Sequence, residues 1–317
     1  MAEALYFKRL NFQKEQKLLE AITLFNNWLD ELLISGISQL QNDPTKLDEI
    51  ASRMVDWGAP GIARKLRIIP ERIEKRDNWM EFAMQQLGEF YLVVRSFKRL
   101  EALSEAEKED LLSFCGIPFT KAGFSEIAFY ADDWCFLGTV LEKEEKLLIK
   151  RNWFFGLNCK SCVLFLEFQF NRFAPTKQFK SGVIYKSAVQ FYPSTTPQRI
   201  KDIQTENISI GSDLILKTQT VESALDSYSE RLSVNPLLKQ LCFILSEIKL
   251  VKHLDVWYLA GKTGQMIRIT NTIPEIQQLL AYSSNDQNIF ICEYDHNLLR
   301  VFSVVMDHQL IRLSENS

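Results

Sequence analysis

Histidine is scarce in this chain: His253, His296 and His308 are the three among 317 residues. No H-E-x-x-H and no G-x-S-x-G occurs, so the signatures of zinc-dependent and serine hydrolases are missing. Cysteine is sparse as well, and six residues without repeated spacing make no disulfide framework. Twelve glycines and nine prolines are too few for fibrous or low-complexity structure. No uncharged apolar run approaches 18 residues, which excludes a spanning helix on hydropathy. Charges at Glu3, Lys8, Arg9, Lys14 and Glu15 leave no apolar signal-peptide core in the first sixteen residues. With 37 Lys and Arg against 40 Asp and Glu, the whole chain advertises neither a nucleic-acid nor a membrane partner. A cytoplasmic, thiol-reduced protein of two or three domains is the expectation.

What is present is an aromatic-rich, 46% hydrophobic chain whose patterning changes along its length. From Gln13 to Leu40, Leu18, Ile22, Phe25, Leu29, Leu32 and Leu40 recur at three- and four-residue steps, predicting a long amphipathic helix. Thr45 to Val55 repeats the pattern, and Gly58-Ala59-Pro60-Gly61 breaks it. Pro60 suits the first position of a short helix through Leu66. Asp77 is placed to cap a helix from Asn78 to about Leu100. Ser104 with Glu107 spells a capping box, and Gly116 ends that helix. Residues 1–118 thus read as a helical domain.

From Asp132 the residues become β-branched, aromatic and alternating. Strands are predicted around Trp134–Leu141, Leu147–Phe155, Cys162–Phe170 and Val183–Tyr192, a small antiparallel β-module spanning 132–202. The rest, 203–317, reads as a mixed module of helix and strand. Its helices are placed at Gln219–Leu232, at Pro236–Leu245 behind an Asn235 cap, and from Pro274. Strands follow at Lys249–Val251, Val256–Leu259, Met266–Ile269, Asn288–Glu293 and Leu299–Val305. The fold class is α+β.

Chemistry-bearing constellations are few. Cys159-Lys160-Ser161-Cys162 is a C-x-x-C, but it falls in a predicted hairpin turn and not at a helix N-terminus, where a thiol is activated. No second pair completes a zinc site. Gly261-Lys262-Thr263-Gly264 contains the GKT of a phosphate loop, yet Val256 stands where its leading glycine belongs, so a hairpin turn is expected. Cys292 and His296 are spaced along a strand and a turn and do not converge. Asp132 and Asp133 are neighbours on a strand and point to opposite faces. No catalytic residue, metal or cofactor is assigned.

Charge distribution says more. Between Lys146 and Asp202 there are ten basic and two acidic residues, a net +8, leaving −11 for the remainder. A basic β-module with interleaved aromatics is one way to grip single-stranded nucleic acid. On that reading Lys150, Arg151, Arg172, Lys177, Lys180 and Lys186 are the candidate contacts. The alternative places the aromatics in the core and the cations against acidic neighbours or water.

Two stretches go beyond composition. Arg53-Met54-Val55-Asp56-Trp57-Gly58-Ala59-Pro60-Gly61-Ile62-Ala63-Arg64 resembles the R-M-V-D-x-x-A-P-G-L-A-R segment of bacterial SWIM zinc-finger proteins, downstream of their finger. Trp134 to Gly156, with Leu137, Gly138, Glu142, Glu144, Leu147 and Arg151-Asn152-Trp153, is similar to that family's next block. Phe191-Tyr192-Pro193-Ser194 resembles its F-F-P-S. The chain contains no C-x-C or C-x-H, so no zinc ligand transfers, and it reads as a finger-less relative or the C-terminal portion of one. The resemblance implies work beside a MoxR-type AAA ATPase and a von Willebrand A-domain protein. The expectation is therefore a non-enzymatic, cytoplasmic interaction or adaptor protein, with nucleic-acid binding through the Lys146–Lys201 module as the alternative. Trp134 and Trp153 are expected as anchors between helical and sheet layers.

Overall fold

The structure is a computed structural model, which describes residues 7–8, 10–75, 79–144, 147–170, 177–205, 208–210, 216–283 and 288–313. Asp77, Lys146 and Arg172 lie outside the described residues. The fold is α+β, as expected. The chain divides into two compact units. The first takes residues 1–126 with the short returning segments 193–196 and 234–237; the second takes the remainder.

The first unit is helical. Its helices are α1 (Phe12–Ser35), α2 (Gln39–Asn42), α3 (Thr45–Asp56), α4 (Pro60–Lys75), α5 (Trp79–Phe97), α6 (Glu105–Phe114) and α7 (Lys121–Phe124). Leu18, Ile22, Phe25 and Leu29 from α1 meet Phe90 and Val94 from α5 and Leu66 from α4 in one continuous apolar core. The capping box forms: Ser104 Oγ accepts from Glu107 N, and the Glu107 carboxylate accepts from Ser104 N at 2.7 Å. Helix α4 runs past the expected end at Leu66. Pro70 withholds one N–H from the ladder, but Ile69 and Ile73 on either side are buried, and that burial carries the helix onward.

The second unit contains two sheets. Strands β1 (Tyr130–Glu144), β2 (Leu147–Gly156), β3 (Cys162–Phe170), β4 (Val183–Val189), β5 (Arg199–Ile200) and β6 (Ile208–Ile210) form the first, in the order β5-β3-β2-β1-β4-β6. It is antiparallel except for the short β3–β5 pairing. After α8 (Val221–Val234) come β7 (Leu241–Leu245), β8 (Lys249–His253), β9 (Val256–Ala260), β10 (Met266–Ile269), α9 (Ile273–Tyr282), β11 (Ile289–Asp295), β12 (Leu298–Met306) and β13 (Gln309–Arg312). These strands make the second sheet, ordered β7-β11-β12-β10-β9-β8, with β13 on β12. Residues of α8 and α9 cover the face of this sheet away from the first.

Two expectations are corrected here. Pro236–Leu245 is not a helix: Asn235 Oδ1 accepts from Leu237 N at 3.0 Å to close a turn, and Leu241–Leu245 is a strand. A five-residue apolar run buried on both faces has the same spacing as a buried helix, so periodicity does not separate them. Nor do the tryptophans bridge helices to a sheet. Trp153 lies between the two sheets with Cys135, Leu137, Ile244, Ile291 and Phe302, while Trp134 packs on the other face of the first sheet with Phe136 and Phe154.

Candidate functional site

The Trp134–Gly156 block converges on a buried polar centre between the sheets. Arg151 and Trp153 alternate on β2, so both point at the second sheet. The Arg151 guanidinium donates from Nε to both carboxylate oxygens of Glu293 on β11, at 3.0 and 2.9 Å, and from Nη1 to Glu142 on β1. Trp153 Nε1 donates to the same Glu293 carboxylate at 2.7 Å. Burial alone would lower the pKa of Arg151, but the two carboxylates outweigh it and hold the cation more firmly charged. At Glu293 burial pushes the carboxyl up, opposed by the guanidinium and the indole N–H. Behind them, on the other face, Asn152 accepts from Thr139 Oγ1 at 2.8 Å and donates to Glu167 at 2.8 Å. These groups are turned on one another, an arrangement that fixes two layers in register and offers no open acid, base or nucleophile.

Gly138 sits at the same junction. The β1–β2 register shifts between Phe136 and Gly138, and Gly138 has φ +152°. A Cβ there would stand 2.6 Å from the Phe302 ring and 2.8 Å from Ser303 Oγ, and that hydroxyl donates to Leu137 O at 2.6 Å. Sheet-to-sheet approach at this point requires glycine.

The C-x-x-C does form the hairpin turn between β2 and β3. Asp132, buried at the base, accepts from Asn158 N at 2.9 Å, Asn158 Nδ2 at 2.8 Å and Cys159 N at 3.0 Å. Burial would raise the pKa of this carboxyl, but the N–H donors outweigh it and hold it below the usual carboxylate value. Burial raises the Cys159 thiol to about 11, far from an activated thiolate. Beside the hairpin lies a shallow, open depression of about 430 Å³ lined by Asp132, Asp133, Asn158, Lys186, Ser187 and Gln204. Its polar floor is already engaged. Ser187 O accepts from Trp134 Nε1 at 3.0 Å, and Ser187 Oγ from Gln204 N at 3.1 Å.

The candidate nucleic-acid contacts are dispersed in their engagements. Arg151 is in the buried centre. Lys150 pairs with Glu167 at 3.3 Å and donates to Lys177 O at 2.8 Å. Lys177 reaches Asp202 and the Ile203 carbonyl, both at 2.5 Å. Lys180 and Lys186 are exposed. Arg199, which was not among the six, lies over the Tyr192 ring at 4.2 Å. Among the described residues, no group of three or more His, Cys, Asp or Glu is placed to hold a metal ion.

In the helical unit the Arg53–Arg64 block has a backbone role. Gly61 N donates to Cys115 O at 2.8 Å, and a Cβ on Gly61 would fall 2.2 Å from Phe114 O and 2.5 Å from Gly116 N. The start of α4 therefore packs directly on the end of α6. Lys65, one turn further, pairs with Glu89 of α5 at 2.5 Å and lies 4.5 Å over the Phe114 ring. The Phe191–Ser194 block finishes here as well: Asp110 of α6 accepts from Ser194 Oγ at 2.6 Å, Thr195 N at 3.0 Å and Thr195 Oγ1 at 2.6 Å.

One feature was not read from the sequence. The outward face of α5 carries Met80, Met84, Tyr91 and Leu92, all exposed, around Gly88, with Arg95, Lys98 and Arg99 at its C-terminal end. Among the described residues, a Cβ at Gly88 would meet nothing within 4 Å. The spacing 80, 84, 88, 91 was legible as one helical stripe; that it faces outward was not.

Residues 13–115 match the family model described as the SWIM-associated four-helix bundle domain. The resemblance read from Arg53–Arg64 is thereby borne out over the helical unit, while the blocks from Trp134 onward lie outside the matched residues. No curated protein and no solved structure matches the chain. No helix among the described residues is long and apolar enough to cross a membrane.

Proposed function

We propose that this chain is a non-enzymatic, cytoplasmic protein-interaction adaptor whose helical unit carries the docking face. The observation that carries the reading is the match of residues 13–115 to a SWIM-associated bundle. The α5 face supports it. Methionine adapts to an irregular partner surface, and Tyr and Arg recur among the residues that dominate binding energy. The partner class drawn from the family resemblance is a MoxR-type AAA ATPase working with a von Willebrand A-domain protein. Of the nucleic-acid alternative's candidate contacts, Lys150, Arg151 and Lys177 are engaged internally while Lys180 and Lys186 are exposed, so that reading would rest on the exposed pair.

The test is affinity capture of the intact chain from its native cells, with and without nuclease, read by mass spectrometry. Recovery of an AAA ATPase or A-domain protein in both samples is the expected result. Met84→Glu combined with Tyr91→Ala, which leaves the buried face of α5 untouched, is expected to lower that recovery at least tenfold. Partners that vanish with nuclease overturn the reading in favour of the basic residues.

A further inference from the structure

The two thiols of the C-x-x-C hairpin belong to opposite faces of the first sheet. Cys159 packs with Trp134 and Phe136 on one side; a Cβ on Gly156 would touch its sulfur, the Asp132 carboxylate and the Trp134 ring. Cys162 opens β3 and alternates with Val163, so it points with Leu164 and Leu166 into the layer between the sheets. From the facing sheet, β7 directs Cys242 and Ile244 into that same layer, while Leu241, Phe243 and Leu245 point away. Cα atoms of β3 and β7 approach within 8 Å. Across this gap Cys162 and Cys242 pack against the same apolar cluster. Both are partly accessible, whereas Cys135 and Cys292 are buried.

We propose that Cys162 and Cys242 form an oxidation site, joined by hydroperoxides into a disulfide between the two sheets, and that Cys159 is a bystander. The sulfur of Cys162, as thiolate, attacks the peroxide; its O–O bond breaks, Cys162 becomes a sulfenic acid, and hydroxide leaves to be protonated. The Cys242 sulfur then attacks the sulfenic sulfur, the S–S bond forms, the S–O bond breaks and a second water leaves. Two thiols lose two electrons and two protons, and one hydrogen peroxide becomes two waters. Two thiols turned into one layer from strands that approach this closely can be joined by the short span of a disulfide without opening the hairpin. Pairing within the C-x-x-C would require one thiol to cross to the other face of its own sheet.

The test is peptide mapping of the full chain without reductant, before and after hydrogen peroxide. The expected product is a Cys162–Cys242 linked peptide, with thiol titration in denaturant falling from six to four per chain. Cys159→Ser should retain the link, and Cys242→Ser should abolish it. Because the bridge closes a loop of about 80 residues, the thermal midpoint should rise by roughly 5–10 °C on oxidation and return with dithiothreitol. That shift should be present in Cys159→Ser and absent in Cys242→Ser. A Cys159–Cys162 linked peptide, or oxidation of single thiols with no intramolecular link, overturns the proposal; mapping of the unmutated chain decides it even where a variant folds poorly.

Discussion

The bundle and the two-sheet unit join their layers by different means. In the bundle, backbone meets backbone: Gly61 lies against Phe114 O and Gly116 N with no room for a methyl group. Between the sheets, a charged cluster fills the gap, with Arg151 shared by Glu142 and Glu293 and the Trp153 indole completing the shell. The first joint is sensitive to added volume. The second tolerates little loss of a partner, because a buried charge left alone is far costlier than the pair. Removing both members and filling the space with apolar side chains should be milder than removing either.

Variants at each joint sharpen this contrast. Trp153→Ala removes the largest inter-sheet side chain and a donor to Glu293, and is expected to cost roughly 3–5 kcal/mol in urea denaturation. A loss below about 1 kcal/mol would show that the ring is not buried. Glu293→Leu alone should cost about 3–5 kcal/mol by leaving the buried Arg151 with only the half-exposed Glu142 as a partner, and Arg151→Met in the same chain should restore most of that. Additive losses in the double variant would end the argument that charge holds the sheets. On the bundle side, Gly61→Ala should cost roughly 1–3 kcal/mol through overpacking, and no variant at a charged residue should rescue it.

Smaller effects separate the units by pH. The Asp132 carboxyl has a lowered pKa in the folded chain, so what it contributes is present at neutral pH and is lost as pH falls below about 4. Asp132→Asn should flatten that part of the acid dependence of the two-sheet unit, measured by denaturation between pH 7 and pH 3. An unchanged acid profile would mean the hairpin clamp contributes nothing. Ser104→Ala, which removes half of the α6 capping box, should cost about 1 kcal/mol with no dependence on sheet variants.

Local chemistry was legible in the sequence; distant partnership was not. Ser104 and Glu107 announce their cap because both partners lie within one turn, and Gly261–Gly264 declares itself a hairpin turn from its flanks. The block containing Glu142, Arg151 and Trp153 stood out, but nothing in the chain identifies Glu293, some 140 residues on, as the carboxylate they share. Cys162 was visible as half of a C-x-x-C read as a turn, but nothing in the chain shows that it shares a layer with Cys242 of the second sheet. Leu241–Leu245 was misread for a related reason: burial on both faces is a property of the assembled sheets, and it erases the alternation that marks a strand.

The short segment 193–196 has a consequence for the timing of synthesis. Asp110 is translated 84 residues before Ser194, and the turn at Asn235 comes later still. A ribosome delivers the helices 12–114 early, yet the Asp110 carboxylate must wait in water while much of the first sheet is still being made. Completion of the bundle is thereby tied to the arrival of β-structure, and a nascent chain stalled before residue 193 would carry the helices of residues 12–114 with the Asp110 carboxylate still unclaimed by the hydroxyls and amide that hold it in the finished protein.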